Sequence, residues 1–163
     1  MVKVFLVEDE AIIRRGIRDN IDWASHGFEF AGEAGDGEYA YPLILKAQPD
    51  ILVTDIKMPF MDGLELSRLV KKTLPRTRII VLSGYNEFEY AKEAIKIGIS
   101  DYLLKPVSSA GLIDALKKAA DEIRKNGKNR GFWSGILSAT KNIQNFWTKR
   151  ITAALTGSLS TIF

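Results

Sequence analysis

Glu8, Asp9, Asp55, Ser83 and Lys105 are the side chains of this sequence that could do chemistry together. Each stands at the end of a short apolar run or directly after one. Three carboxylates brought to one place repel one another unless a cation sits among them. Oxygen ligands with no Cys or His select a hard ion, and Mg2+, which keeps several of its waters, suits them best. Such an ion draws in a phosphoryl donor and neutralises charge during transfer. Asp55 can then act as the nucleophile and become an acyl phosphate. Lys105 offers a point charge for one phosphoryl oxygen, and the Ser83 hydroxyl can donate to another.

Taken singly, each of these residues has a commoner reading. Glu8-Asp9 suits a solvated turn or a helix N-terminus, where the dipole favours acids. A lone lysine is usually a surface lysine, and a lone serine says little. His26, the single histidine, lies between Trp23 and Gly27 and reads as a surface loop residue; no helical context makes it a phosphorelay histidine. The combination carries weight only if the fold brings these positions together.

The pattern of elements predicts that it does. Val2 to Val7, Ile51 to Asp55 and Arg78 to Leu82 are short, mostly apolar runs rich in β-branched residues, as in strands buried on both faces of a parallel sheet. Phe28 to Ala34 and Asp101 to Leu104 complete five strands. Between them the spacing predicts helices over Ala11 to Ile21, with Ile12, Ile13, Ile17 and Ile21 as its apolar members, and from about Glu38 to Ala47, with Pro42 near the start. Further helices are expected from Asp62-Gly63 to Pro75, from Glu87 to Ile97 with Gly98 closing it, and from about Ala110 to Lys125. Asp36 and the pair Ser108-Ser109 are candidate caps.

Five strands alternating with five helices on short connections imply an α/β, doubly wound parallel sheet with helices on both faces. The flavodoxin-like strand order 2-1-3-4-5 suits five such units. In that order the carboxyl ends of strands 1 and 3 flank the topological switch, where ligands bind. Glu8-Asp9, Asp55, Ser83 and Lys105 all fall at strand carboxyl ends.

Composition narrows the class. The absence of Cys excludes disulfides and thiolate metal sites. The N-terminus turns acidic too early for a signal peptide, and no apolar run approaches the ~20 residues that span a bilayer, so a cytoplasmic protein is expected. The net charge of +3 hides a division: residues 1–122 hold all 20 acidic residues against 16 basic ones, and residues 123–163 hold 7 basic residues and no acid. The main domain therefore carries no nucleic-acid signature of its own.

The motifs Leu-Val-Glu-Asp-Glu at 6–10, Asp-Ile-Lys-Met-Pro with Met-Asp-Gly at 55–63, Leu-Ser-Gly at 82–84 and Asp-Tyr-Leu-Leu-Lys-Pro at 101–106 resemble, in order and spacing, the receiver domains of bacterial two-component response regulators. The resemblance covers residue 2 to about 125, so a receiver domain at 1–125 is expected. It implies that Asp55 is the phosphorylated aspartate, Asp9 a metal ligand, Glu8 the second acid where the family more often has Asp, and the Lys57 backbone carbonyl a further ligand of Mg2+. It also implies Ser83 and Tyr102 as the switch pair, Lys105 as the family's lysine with a cis bond to Pro106, and residues 57 and 85 as positions that tune dephosphorylation. The implied partners are a sensor histidine kinase and a second copy of the chain, paired through helix 4, strand 5 and helix 5 on phosphorylation. The chemistry would be autocatalytic phosphotransfer to the protein's own aspartate, without turnover of an external substrate. Ile-Arg-Arg-Gly-Ile at 13–17, Trp23, Gly-Phe-Glu at 27–29 and residues 84–91 resemble receivers that precede AraC-type helix-turn-helix domains. DNA would be reached only through such an output domain, for which residues 126–163 are too few.

Two other classes compete. A flavodoxin would need a Ser/Thr/Gly-rich phosphate loop after strand 1, where Glu8-Asp9-Glu10 has the wrong charge for an anion. An aspartate-nucleophile phosphatase would want its acids paired around a nucleophile after the first strand. A receiver-like interaction module that never takes phosphate is the third reading; the intact Asp9, Asp55 and Lys105 weigh against it. The tail at 126–163 places Phe132, Trp133, Ile136, Leu137, Ile143, Trp147, Ile151 and Leu155 at helical spacing. That suits a basic amphipathic helix for a membrane surface or partner groove, an added packing or self-association helix, or a segment foreign to the domain through truncation or a shifted reading frame.

Overall fold

The computed structural model describes residues 1–84 and 88–127 of the 163. The predicted tail helix, Tyr85 and the start of the helix expected at Glu87 lie outside the described residues. Met1–Ile123 forms one compact unit and Arg124–Phe163 a second, and the first carries the fold.

Its five strands are β1 (Val2–Val7), β2 (Phe28–Ala34), β3 (Ile51–Asp55), β4 (Arg78–Ser83) and β5 (Asp101–Leu104). All pairings are parallel, in the order β2-β1-β3-β4-β5, the flavodoxin-like arrangement expected. The helices are α1 (Ala11–Asn20), α2 (Gly37–Ala47), α3 (Gly63–Thr73), α4 (Phe88–Ile97) and α5, residues 109–127.

The apolar strands lie between two helical layers because successive side chains point to opposite faces. Val4, Leu6, Ile51, Val53, Ile80 and Leu82 pack with Leu112, Ala115, Leu116 and Ala119 of α5 and with Ile17 of α1. Phe5, Val7, Leu52, Ile79 and Val81 pack with Ala40 and Ile44 of α2, Leu66 and Val70 of α3 and Ala94 of α4.

One expectation is corrected. Ile12 is 86% exposed and does not belong to the packed stripe of α1. At about 100° per residue it sits beside the line through Ile13 and Ile17, and the sheet takes only that line. Pro42 is the sixth residue of α2, beyond the first turn. The helix starts at Gly37 because the Asp36 carboxylate caps it, accepting from the Tyr39 N–H at 2.7 Å. Interior proline costs about 3 kcal/mol, and the full burial of Ala40 and Ile44 opposes that cost. The remaining boundaries agree within a residue or two, and Gly98 closes α4 with φ 82°.

Caps fix where helices begin at the sheet's carboxyl edge. Asp62 caps α3, its Oδ1 accepting from the N–H groups of Leu64 and Glu65 at 2.9 and 2.8 Å. Ser108 caps α5, its hydroxyl oxygen accepting from the Gly111 N–H at 3.0 Å. Asp62→Ala is expected to lower stability by about 1–2 kcal/mol, the worth of a lost cap, measured as a fall in the urea midpoint at unchanged slope. No loss would mean that the N-terminus of α3 is held by other contacts.

Candidate functional site

The carboxyl ends of β1, β3, β4 and β5 surround one open cavity of about 440 Å3, lined by Asp9, Glu10, Asp55, Lys57, Ser83, Gly84 and Lys105. Parallel pairing explains the convergence. Val7 pairs with Thr54, Asp55 with Leu82 and Ser83 with Leu104, so residues far apart in sequence end level with one another.

Asp55 terminates β3 and is 6% exposed. Its Oδ1 accepts from the Ile56 N–H at 2.8 Å. Its Oδ2 lies 3.1 Å from the Lys105 ammonium. Lys105 is delivered by β5, and its own N–H donates to the Ser83 carbonyl at 2.8 Å, while the bond to Pro106 is cis as expected. The same ammonium reaches Glu8 Oε2 at 2.7 Å, so one cation bridges two buried acids. Burial raises the carboxyl of Glu8 to about 7, against the pull of Lys105. Burial also raises Asp55, with Lys105 opposing. For Lys105, burial alone would lower the ammonium, but the hydrogen bond to Glu8 and the charges of Glu8 and Asp55 outweigh it and raise it.

Glu8, Asp9 and Asp55 offer carboxylate oxygens within 4.8 Å of one another. Such a cluster fits a hard divalent cation that binds oxygen and retains water. Among the expected residues, Asp9, Asp55, Lys57, Ser83 and Lys105 line the cavity, and Glu8 lies buried behind it. Tyr102 does not line it: half-buried, it pairs with Val81 and packs against the core on the α2, α3 and α4 side. His26 lies in a short 3-10 turn, Ala24–His26, after α1.

Residues that stand in the quoted motifs but were given no role there complete the site. The Glu10 N–H donates to Glu8 Oε1 at 3.1 Å. Arg14 of α1 donates through Nη1 to the Glu8 carbonyl oxygen at 2.6 Å and so ties the acidic turn to the helix after it. Gly63, the first residue of α3, lies so close to the end of β3 that a Cβ there would strike the Asp55 carbonyl oxygen. A helix pattern marks Arg14 only as a polar position, and Gly63 only as part of a turn; nothing in the pattern points either one at Asp55 or Glu8.

A doubly wound sheet with a lysine-backed acidic cavity at its switch point defines the protein as a flavodoxin-like signalling domain of the receiver type. Comparison with known proteins agrees: residues 4–117 match the model of the response regulator receiver domain, and the chain belongs to that family. It is 40% identical over 146 residues to the uncharacterized transcriptional regulatory protein YesN of Bacillus subtilis, covering 90% of this chain and 40% of that protein. It is 41% identical over 112 residues to the transcriptional regulatory protein HptR of Staphylococcus aureus, covering 69% and 44%. The chain thus spans less than half the length of these curated relatives. Among solved structures it is similar to the receiver domain of AraT, a response regulator from Geobacillus stearothermophilus, at 44% identity and TM-score 0.72 over 78% of this chain and 99% of that one. A two-component transcriptional regulator AraC from Clostridium phytofermentans matches at 32% identity and TM-score 0.69 over 79% and 99%. Among the described residues, no helix is long and apolar enough to cross a membrane.

Proposed function

We propose that this domain, residues 1–125, is the phosphorylation-controlled switch of a cytoplasmic transcriptional response regulator, and that Asp55 is its phospho-acceptor. The observation that carries this reading is the placement of an Asp55 oxygen 3.1 Å from the Lys105 ammonium, on a cavity that Asp9 and Ser83 also line. Asp9, Asp55 and the Lys57 carbonyl would hold Mg2+, with the charge of Glu8 behind them. When bound, the ion supplies charge neutralisation for the transferred phosphoryl group.

The donor is the phosphohistidine of a sensor kinase or a small acyl phosphate. One Asp55 oxygen attacks phosphorus, the P–O bond forms as the bond to the donor breaks, and the leaving imidazole or acetate departs with that electron pair. The protein modifies only itself. Lys105 takes one phosphoryl oxygen as its counter-ion and the Ser83 hydroxyl donates to another. That movement of Ser83 biases Tyr102 between two packings and so the α4–β5 face. Phe88 and Ile95 of α4 and Leu104 of β5 are exposed apolar side chains, which suits pairing of two phosphorylated copies there. DNA binding would belong to the remainder of a longer regulator.

The test is direct. The full chain with Mg2+ and acetyl phosphate is expected to gain the mass of one phosphoryl group, and Asp55→Asn to gain none. A wild-type chain that stays unmodified and ignores beryllofluoride would instead support a receiver-like interaction module that works without phosphate.

A further inference from the structure

We propose that Asn126-Gly127 is a self-modifying site, at which the asparagine loses its side-chain amide and becomes aspartate or isoaspartate without any enzyme. Of the six asparagines in the chain, Asn126 alone precedes a glycine. A glycine has no Cβ to crowd its own nitrogen, and its backbone turns freely enough to bring that nitrogen to the side chain. The Gly127 nitrogen attacks Cγ of Asn126. Its proton passes to the departing amide, which leaves as ammonia with the bonding pair, and a succinimide ring closes. Water then adds to one ring carbonyl, and the C–N bond there breaks with its electron pair and a proton going to nitrogen. Opening on one side gives aspartate and on the other isoaspartate. Whether Asp55 takes phosphate does not bear on this chemistry.

The fold decides which such pairs are open to reaction. Asn126 and Gly127 stand in the last described turn of α5, where residues 124–127 are all exposed. A helical turn aims the Gly127 nitrogen away from the Asn126 side chain, so attack waits on local opening. Opening costs least where a turn buries no side chain and contains a glycine. Two Asp-Gly pairs could cyclise by the same attack, with water leaving in place of ammonia: Asp36-Gly37 and Asp62-Gly63. Both are closed. Asp36 accepts from the Tyr39 N–H at 2.7 Å as the cap of α2, and Gly37 is buried. Asp62 accepts from Leu64 and Glu65 as the cap of α3, and the buried Gly63 nitrogen donates to the Ile56 carbonyl at 2.8 Å. Residues 123–163 hold 7 basic residues and no acid, so the product places the first negative charge in that stretch. Isoaspartate also lengthens the main chain by one carbon, which breaks the helical register at that point.

The experiment ages the full chain in warm, mildly alkaline buffer and then cleaves it after its glutamates. The fragment that follows Glu122 is expected to become more acidic and to gain the mass by which a hydroxyl exceeds an amide, placed at Asn126 by fragmentation. Enzymatic methylation of isoaspartate is expected to label that fragment and neither of those that carry Asp36 and Asp62. In unfolding urea the Asp36 and Asp62 fragments are expected to take the label as well. Asn126→Gln is expected to abolish the change at this position, and Gly127→Val to slow it about tenfold, since a β-branched side chain crowds the attacking nitrogen. An Asn126 that stays intact in the aged, folded chain would overturn the proposal, and its modification in urea alone would show that α5 protects it as the caps protect the other two. Equal labelling of all three pairs in the folded chain would overturn it as well.

Discussion

Lys105→Ala is expected to destabilise the domain by about 3–5 kcal/mol at about pH 8, the usual cost of stripping a buried ion pair of one partner. Its ammonium lies 2.7 Å from the fully buried Glu8 and 3.1 Å from Asp55. Without it two acids remain buried and uncompensated, and they answer by holding protons. The pH dependence follows from the direction of their shifts. Burial lifts Glu8 from its ordinary 4.5 to about 7, and lifts Asp55 above its ordinary 3.8. A raised acid binds more protons in the folded state than in the unfolded one. Its contribution to stability is therefore complete below the ordinary value and is lost as pH rises through the folded value. For Glu8 that window is 4.5 to about 7. Lys105 is raised from an ordinary 10.5, so its contribution is constant across this window. Removing the lysine, which pulls Glu8 downward, carries the window further up. In chelator, the stability gap between wild type and Lys105→Ala should thus be widest at about pH 8 and shrink towards about pH 5 as Glu8 protonates. Urea titrations at several pH values would read this. A gap that stays constant across them would show that the lysine contributes packing rather than charge.

Gly63→Ala is expected to lose about 3 kcal/mol or more, at the upper end of overpacking effects. The reason is space and not backbone freedom. A Cβ at Gly63 would collide with the Asp55 carbonyl oxygen and come within 2.8 Å of the Asp55 carbonyl carbon and 3.1 Å of the Ile56 Cα. All three are backbone atoms at the end of a central strand, and none can rotate aside. The Gly63 N–H donates to the Ile56 carbonyl at 2.8 Å, so the start of α3 cannot retreat without breaking that bond and losing the alignment of its Asp62 cap. Because the displaced atoms belong to the acceptor residue itself, phosphorylation by acetyl phosphate should fall together with stability. Gly84→Ala is the control: a Cβ there meets nothing within 4 Å among the described residues, and its stability should stay within about 0.5 kcal/mol of wild type. A Gly63→Ala protein as stable as that control would mean that helix and strand are less tightly joined than their geometry implies.

The layered sheet could be read from the chain because its signals are local. Val4–Val7 and Ile51–Val53 are apolar on consecutive residues, which suits a strand covered on both faces. Asp62, Gly98 and Ser108 end or begin helices through bonds to neighbours a few residues away. The placement of the candidate site residues was legible for a related reason: parallel strands end together, so polar residues at the ends of several of them predict a shared crevice. Local signals misled where burial is decided at a distance. Ile12 matches the apolar pattern of α1 but no sheet lies opposite it.

What the residue pattern left open concerns distances between groups far apart in the chain. Glu8 and Lys105 are separated by 97 positions, and no periodicity says that their side chains meet at 2.7 Å, or that Asp9 lines the cavity while Glu8 lies buried behind it. Residue types supplied three acids and an ammonium. Packing divided them into those that face solvent and those that hold one another, because burial turns each one's side-chain length and each one's charge into a separate constraint.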